Sequence, residues 1–220
     1  MPVLEVSSDD QYLVASADTT LLEIYAALPA GLLPPFPPVE LPADIGGLIE
    51  RGGFAQTFFF ASEILGALME TPDGLRVPIG GRVVKNVQGY DLVRPLVGSF
   101  GALGQTLEVT LRLRPGRSSG IQVREGALEH QLIGSRFWWR DGSLTYAVGH
   151  GSPAELEGWL ERFGGTAVQD LDYCSRFAAG MGVQIGLEPP ELTDQRCGWV
   201  NGDSQPPVPS IFQRLVMNRE

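Results

Sequence analysis

The chain has 220 residues, 43% of them hydrophobic and 19% charged, with a formal net charge of −10. That is a globular composition with room for one large core or two small ones, and its acidity disfavours a nucleic-acid partner. Its two cysteines, Cys174 and Cys197, make neither a disulfide framework nor a zinc site, and its two histidines, His130 and His150, lack metal-ligand spacing, so no metal site is expected. No apolar run of about 18 residues occurs, and the start has no basic-then-apolar leader pattern. The expectation is a cytoplasmic chain with no transmembrane segment. The low charged fraction leaves apolar surface to cover, which suits a subunit with a partner.

Residues 12–17 (YLVASA) read as a short apolar strand. Asp18-Thr19-Thr20 offers helix-capping chemistry for an amphipathic helix over 21–28, with Leu21, Ile24, Tyr25 and Leu28 on one face. Pro29 ends it. Pro34, Pro35, Pro37 and Pro38 stiffen an extended connector. A short helix opens at 48–51, and Phe58, Phe59 and Phe60 read as packing or interface aromatics. Strands over 63–70 and 75–79 flank Thr71-Pro72-Asp73-Gly74, a hairpin turn.

From Gly80 to Pro115 the chain reads GGRVVKNVQGYDLVRPLVGSFGALGQTLEVTLRLRP. Asp91 is placed to cap a short helix over 92–97, with Gly98 just past its end. Gly98, Gly101 and Gly104 recur every third residue. Glycine lets backbone turn with positive φ or approach a neighbour closely. Residues 105–113 alternate, with Leu107, Val109, Leu111 and Leu113 on one face and Thr106, Glu108, Thr110 and Arg112 on the other.

After Gly116 a linker is read over 117–120, then strands over 121–124, 135–140 and 144–149, the last two joined at Asp141-Gly142. Ser152-Pro153-Ala154-Glu155 has the pattern of a capped helix start, running to Phe163 and ended by Gly164. A strand over 166–168, a helix over 173–179, a strand over 195–200 and a terminal helix over 209–217 complete the reading. The fold expected is α+β in two parts, residues 1–116 and 117–220, each with antiparallel strands and helices packed on them.

The run KNVQGYDLVRPLVGSFGALGQTLEVTLRLRP resembles the flavin domain of the FAD-linked oxidases of the vanillyl-alcohol-oxidase type. Within that group it is most similar to the FAD-linked subunits of bacterial glycolate oxidase. The resemblance implies that residues 1–116 are the second lobe of an FAD-binding domain. It also implies that Ile45-Gly46-Gly47, similar to the family's Thr-x-Gly-Gly, lies near the FAD pyrophosphate. The cofactor contacts it implies are Gly46, Gly47, Asn86, Tyr90, Asp91, Gly98, Gly101, Gly104 and Thr106. Four departures stand beside the match, one of them Ala102 where the family often has threonine. No glycine-rich pyrophosphate loop precedes Tyr12, Ala61-Ser62 stands where the family has an Arg-Asp pair, and Thr106 replaces a frequent isoleucine.

Oxidation of a 2-hydroxy acid needs a base for the hydroxyl proton and cations for the carboxylate. Two isolated histidines supply no such cluster, and no catalytic residue is assigned. The reading is an accessory subunit of a 2-hydroxy-acid (glycolate) oxidase with degenerate FAD binding. Its implied partners are a larger FAD-linked subunit and an iron–sulfur subunit. Two alternatives stay open: an FAD-binding oxidoreductase completed by a second copy, and a binding module with no redox role.

Overall fold

The computed structural model describes residues 3–36, 38–40, 44–51, 63–82, 92–99, 101–126, 137–141, 143–169, 171–172, 210 and 214. The first half holds β1 (Val3–Ser7), β2 (Tyr12–Ser16), α1 (Leu21–Ala27), β3 (Leu32–Leu33), β4 (Val39–Glu40), α2 (Ile45–Arg51), β5 (Ile64–Glu70), β6 (Arg76–Gly80) and α3 (Val93–Leu96). There follow β7 (Gln105–Arg112), β8 (Arg114–Pro115), β9 (Ser118–Glu125), β10 (Phe137–Asp141), β11 (Leu144–Gly151), α4 (Pro153–Phe163), β12 (Thr166–Val168) and β13 (Leu171–Asp172).

Local chemistry explains the elements. Thr20 caps α1 with a reciprocal pair: Glu23 N–H donates to Thr20 Oγ1 at 3.3 Å, and Thr20 N–H donates to Glu23 Oε2 at 2.9 Å. Ser152 and Glu155 repeat the device at α4, and Gly164 ends that helix in the left-handed region at φ 63°. The β5–β6 turn closes through Gly74 N–H to Thr71 O at 2.8 Å and Thr71 N–H to Leu75 O at 2.9 Å. Pro95 sits in the first turn of the four-residue α3, where a missing N–H costs no helical bond.

The strands form a five-stranded antiparallel sheet, β1-β2-β7-β5-β6, and a four-stranded antiparallel sheet, β10-β11-β9-β12. The expected antiparallel α+β architecture is what the chain adopts. Two short ladders tie distant segments: β3 with β8 antiparallel, and β4 with β13 parallel. One apolar cluster joins the halves. Leu13, Ile24, Phe36, Leu48, Val109 and Leu111 share it with Ile121, Tyr146 and Val148 of the second sheet. A smaller cluster packs Trp159 and Phe163 of α4 on Trp138 and Ala147, with the Trp159 and Phe163 rings stacked 5.2 Å apart.

Four local expectations shift. The helix read over 92–97 with Asp91 as its cap is Val93–Leu96, with Leu92 at the cap position and no side-chain capping bond. The helix read over 48–51 begins three residues earlier, at Ile45, because Asp44 caps it. The segment read as a linker is already strand from Ser118, which pairs with Gly151. The half-buried strand over 105–113 lies in the sheet's centre, between β2 and β5 with α2 packed on it, and Thr106 and Thr110 are buried along with Val109, Leu111 and Leu113. Phe58 to Phe60, Cys174, Cys197, His130, the helix over 173–179 and the strand over 195–200 lie outside the described residues. Of the terminal helix, Ser210 and Arg214 are described, and both are helical and exposed.

Candidate functional site

The predicted site residues that are described converge on α2. Gly46 and Gly47 form its first turn, and Thr106 opens β7 beside it. Together with Ser16, Asp18, Asp44, Glu50 and Leu107 they line a cleft of about 390 Å³. A β-bulge lies at its edge: Leu68 and Met69 of β5 pair with Glu108 and Thr106, leaving Leu107 as the extra residue. Leu107 O accepts from Ala17 N–H at 2.8 Å. Asn86, Tyr90 and Asp91 lie outside the described residues.

Gly98, Gly101 and Gly104 form a run of tight turns leading into the cleft. All three have positive φ, at 75°, 75° and 139°. Ser99 N–H bonds Leu96 O, Ala102 N–H bonds Ser99 O and Gly104 N–H bonds Gly101 O, each at 3.1 Å. Gly98 N–H reaches across to Ile49 O at 2.8 Å, fastening the run to α2. The third-residue spacing in the sequence is therefore the repeat of these turns.

Four backbone N–H groups at the cleft are satisfied from within the chain. Ile45 N–H donates to Thr19 O at 2.8 Å, Gly46 N–H to Ala17 O at 2.9 Å and Gly47 N–H to Asp44 Oδ1 at 2.8 Å. Thr106 N–H donates to Glu50 Oε1. Ser16 Oγ–H donates to the Asp18 carboxylate. Three carboxylates, Asp18, Asp44 and Glu50, line the cleft, and no Lys or Arg is among its lining residues. A pyrophosphate needs free N–H donors or cations. The described residues of this cleft do not fit one.

Sequence reasoning located the glycines and Thr106 but missed Asp44 and Glu50. An Asp one position before an Ile-Gly-Gly helix start is a readable cap signal. Nothing local marks Glu50, because its partner Thr106 is 56 residues away.

The second sheet carries one perturbed histidine. His150 lies at the exposed end of β11. Partial burial of the ring and then the charges of Arg117 and Arg114 hold its imidazole below the ordinary value, with Glu63 acting the other way. Arg114 is itself engaged by Glu63. Among the described residues no three His, Cys, Asp or Glu side chains gather as a metal site, and no helix is long and apolar enough to cross a membrane.

The fold is that of the FAD-linked oxidases. It matches the solved structure of alkyldihydroxyacetonephosphate synthase with a TM-score of 0.52 at 12% sequence identity, over 73% of this chain and 41% of that one. In sequence the chain is similar to FAD-linked oxidoreductases over about half its length. It is 35% identical over 121 residues to D-lactate dehydrogenase of Archaeoglobus fulgidus, covering 52% of this chain and 27% of that protein. It is 33% identical over 124 residues to the glycolate oxidase subunit GlcE of Escherichia coli, covering 51% and 34%. An uncharacterized FAD-linked oxidoreductase of Mycobacterium tuberculosis is 32% identical over 118 residues, covering 51% and 26%. The chain thus spans about a quarter to a third of the curated relatives it matches. Residues 121–202 match a family of unknown function (DUF5639).

Proposed function

We infer that this chain is an accessory part of a flavin-dependent 2-hydroxy-acid oxidase, of which glycolate is the substrate most in keeping with its relatives. It works beside a larger FAD-linked subunit and an iron–sulfur subunit and does not hold FAD by itself. It is organised as two α+β units divided near Gly116, the first with the flavin-domain architecture. Similarity to a glycolate oxidase subunit supports the assembly. The observation that carries the accessory role is the cleft at Gly46, Gly47 and Thr106, which is lined by carboxylates and has the N–H groups of these three residues occupied. A fold shared with flavoenzymes does not by itself supply flavin chemistry.

The chain therefore contributes surface and architecture, and the base, the carboxylate clamp and the flavin come from its partners. The test is co-purification with its partners, followed by glycolate-dependent dye reduction with and without this chain. The expected result is a colourless isolated chain without turnover and a complex whose activity falls when the chain is left out. A yellow, active isolated chain would instead establish a self-sufficient FAD-binding oxidoreductase. Unchanged activity of the complex without the chain would refute the accessory role.

A further inference from the structure

Thr106 N–H sits on the central strand, at the bulge, in a residue only 2% exposed. A donor so placed needs an acceptor, because water cannot serve it. It donates to Glu50, brought in on α2 from 56 residues earlier in the chain. The other carboxylate oxygen of Glu50 faces the Gly101 turn, 3.9 Å from where a methyl carbon on that glycine would lie. Asp44 does the corresponding work for Gly47 N–H. The anions that satisfy these two donors are thus part of the polypeptide. We propose that the Glu50 carboxylate, with Asp44 beside it, is the resident anion of the cleft, standing where a ligand phosphate would stand and excluding diphosphates by occupancy and charge. This rests on the reading of the cleft as a flavin cradle that does not hold FAD, and it names the cause.

The experiment uses the full chain, with ADP and FAD as probes, thermal melts and titration calorimetry. Wild type is expected to show no Tm shift and no heat with either probe at about 1 mM. Glu50→Ala leaves Thr106 N–H without its acceptor, and its Tm is expected to fall by about 3–10 °C. ADP is then expected to raise that Tm and to bind at least about tenfold more tightly than to wild type. Glu50→Gln keeps an acceptor oxygen and removes the charge, so its Tm falls less and its ADP affinity still rises. A Glu50→Ala chain as stable as wild type, or one that folds and gains no ADP affinity, overturns the proposal. If Glu50→Ala does not fold, Glu50→Gln decides, and an unchanged ADP affinity there overturns it equally. The wild-type titration separates the two ideas. Tight FAD binding by wild type refutes the non-binding cradle itself, whereas silence from wild type and variants alike removes only Glu50 as its cause.

Discussion

Thr106 carries a second peculiarity besides its N–H. Its hydroxyl is buried and finds no hydrogen-bond partner among the described residues. An orphaned buried hydroxyl costs about 1–3 kcal/mol, and valine has nearly the same shape and suits a strand. Thr106→Val is expected to leave Tm unchanged or raise it by up to about 4 °C, measured by a thermal melt. The glycines behave oppositely. A methyl group on Gly46 would lie 2.6 Å from Ala17 Cβ and 3.1 Å from Ala17 O. On Gly104 it would lie 2.3 Å from Glu70 O, in a backbone with φ at 139°. Gly46→Ala is expected to cost about 1–3 kcal/mol and Gly104→Ala at least as much, read as lower urea midpoints at constant m. The positions of these glycines were legible in the sequence. Their reason was not, because close approach to Ala17 and Glu70 is a property of long-range packing. The motif pointed to a ligand, and the structure shows the chain's own backbone pressed against these two glycines.

At the scale of elements, α4 was the most legible piece, since cap, first-turn proline and terminal glycine all stand within its own sequence. Loss of the cap in Ser152→Ala is expected to cost about 1 kcal/mol, or a Tm lower by about 2–4 °C. Glu155 accepts from Ser152 N–H at 2.8 Å, and its bonds to the Ser152 backbone and then its side chain hold the carboxyl below the usual glutamate range. A carboxyl with a lowered folded value stabilises above its unfolded value, near pH 4.3, and loses that contribution as pH falls through the folded value. Between pH 6 and pH 3 the Tm of Glu155→Gln should therefore fall less steeply than that of wild type, and modestly so because the group is exposed. The helix also fixes its neighbour on β11. A methyl group on Gly149 would lie 2.2 Å from Trp159 Cε3 and 2.6 Å from Leu156 Cδ1. Gly149→Ala is expected to lower stability by about 1–3 kcal/mol and to perturb tryptophan fluorescence. The strand over 105–113 was legible as a strand but not as a central one. Period-2 alternation shows neither the bulge at Leu107, which sets Thr106 opposite Met69 and so on the face of Val109, nor the packing that buries Thr110 on the other face.

At the scale of the molecule, the two sheets share one apolar cluster, in which Ile121, Tyr146 and Val148 pack with residues contributed before Gly116. Units joined through a common core unfold together. Calorimetry should show a single transition, with the calorimetric and van't Hoff enthalpies equal, and a fragment of residues 1–116 should lack cooperative melting. Two separate transitions would instead support two units divided near Gly116.

The parallel pairing of Val39 with Leu171 and Glu40 with Asp172 has a consequence for how the protein comes into being. A ribosome releases β4 long before it has made β13. At ordinary elongation rates the interval is roughly 7–26 s, far longer than a hairpin such as β5–β6 needs to close. During that interval the nascent chain carries an unlatched strand edge at β4, and this register is set only when residue 172 emerges.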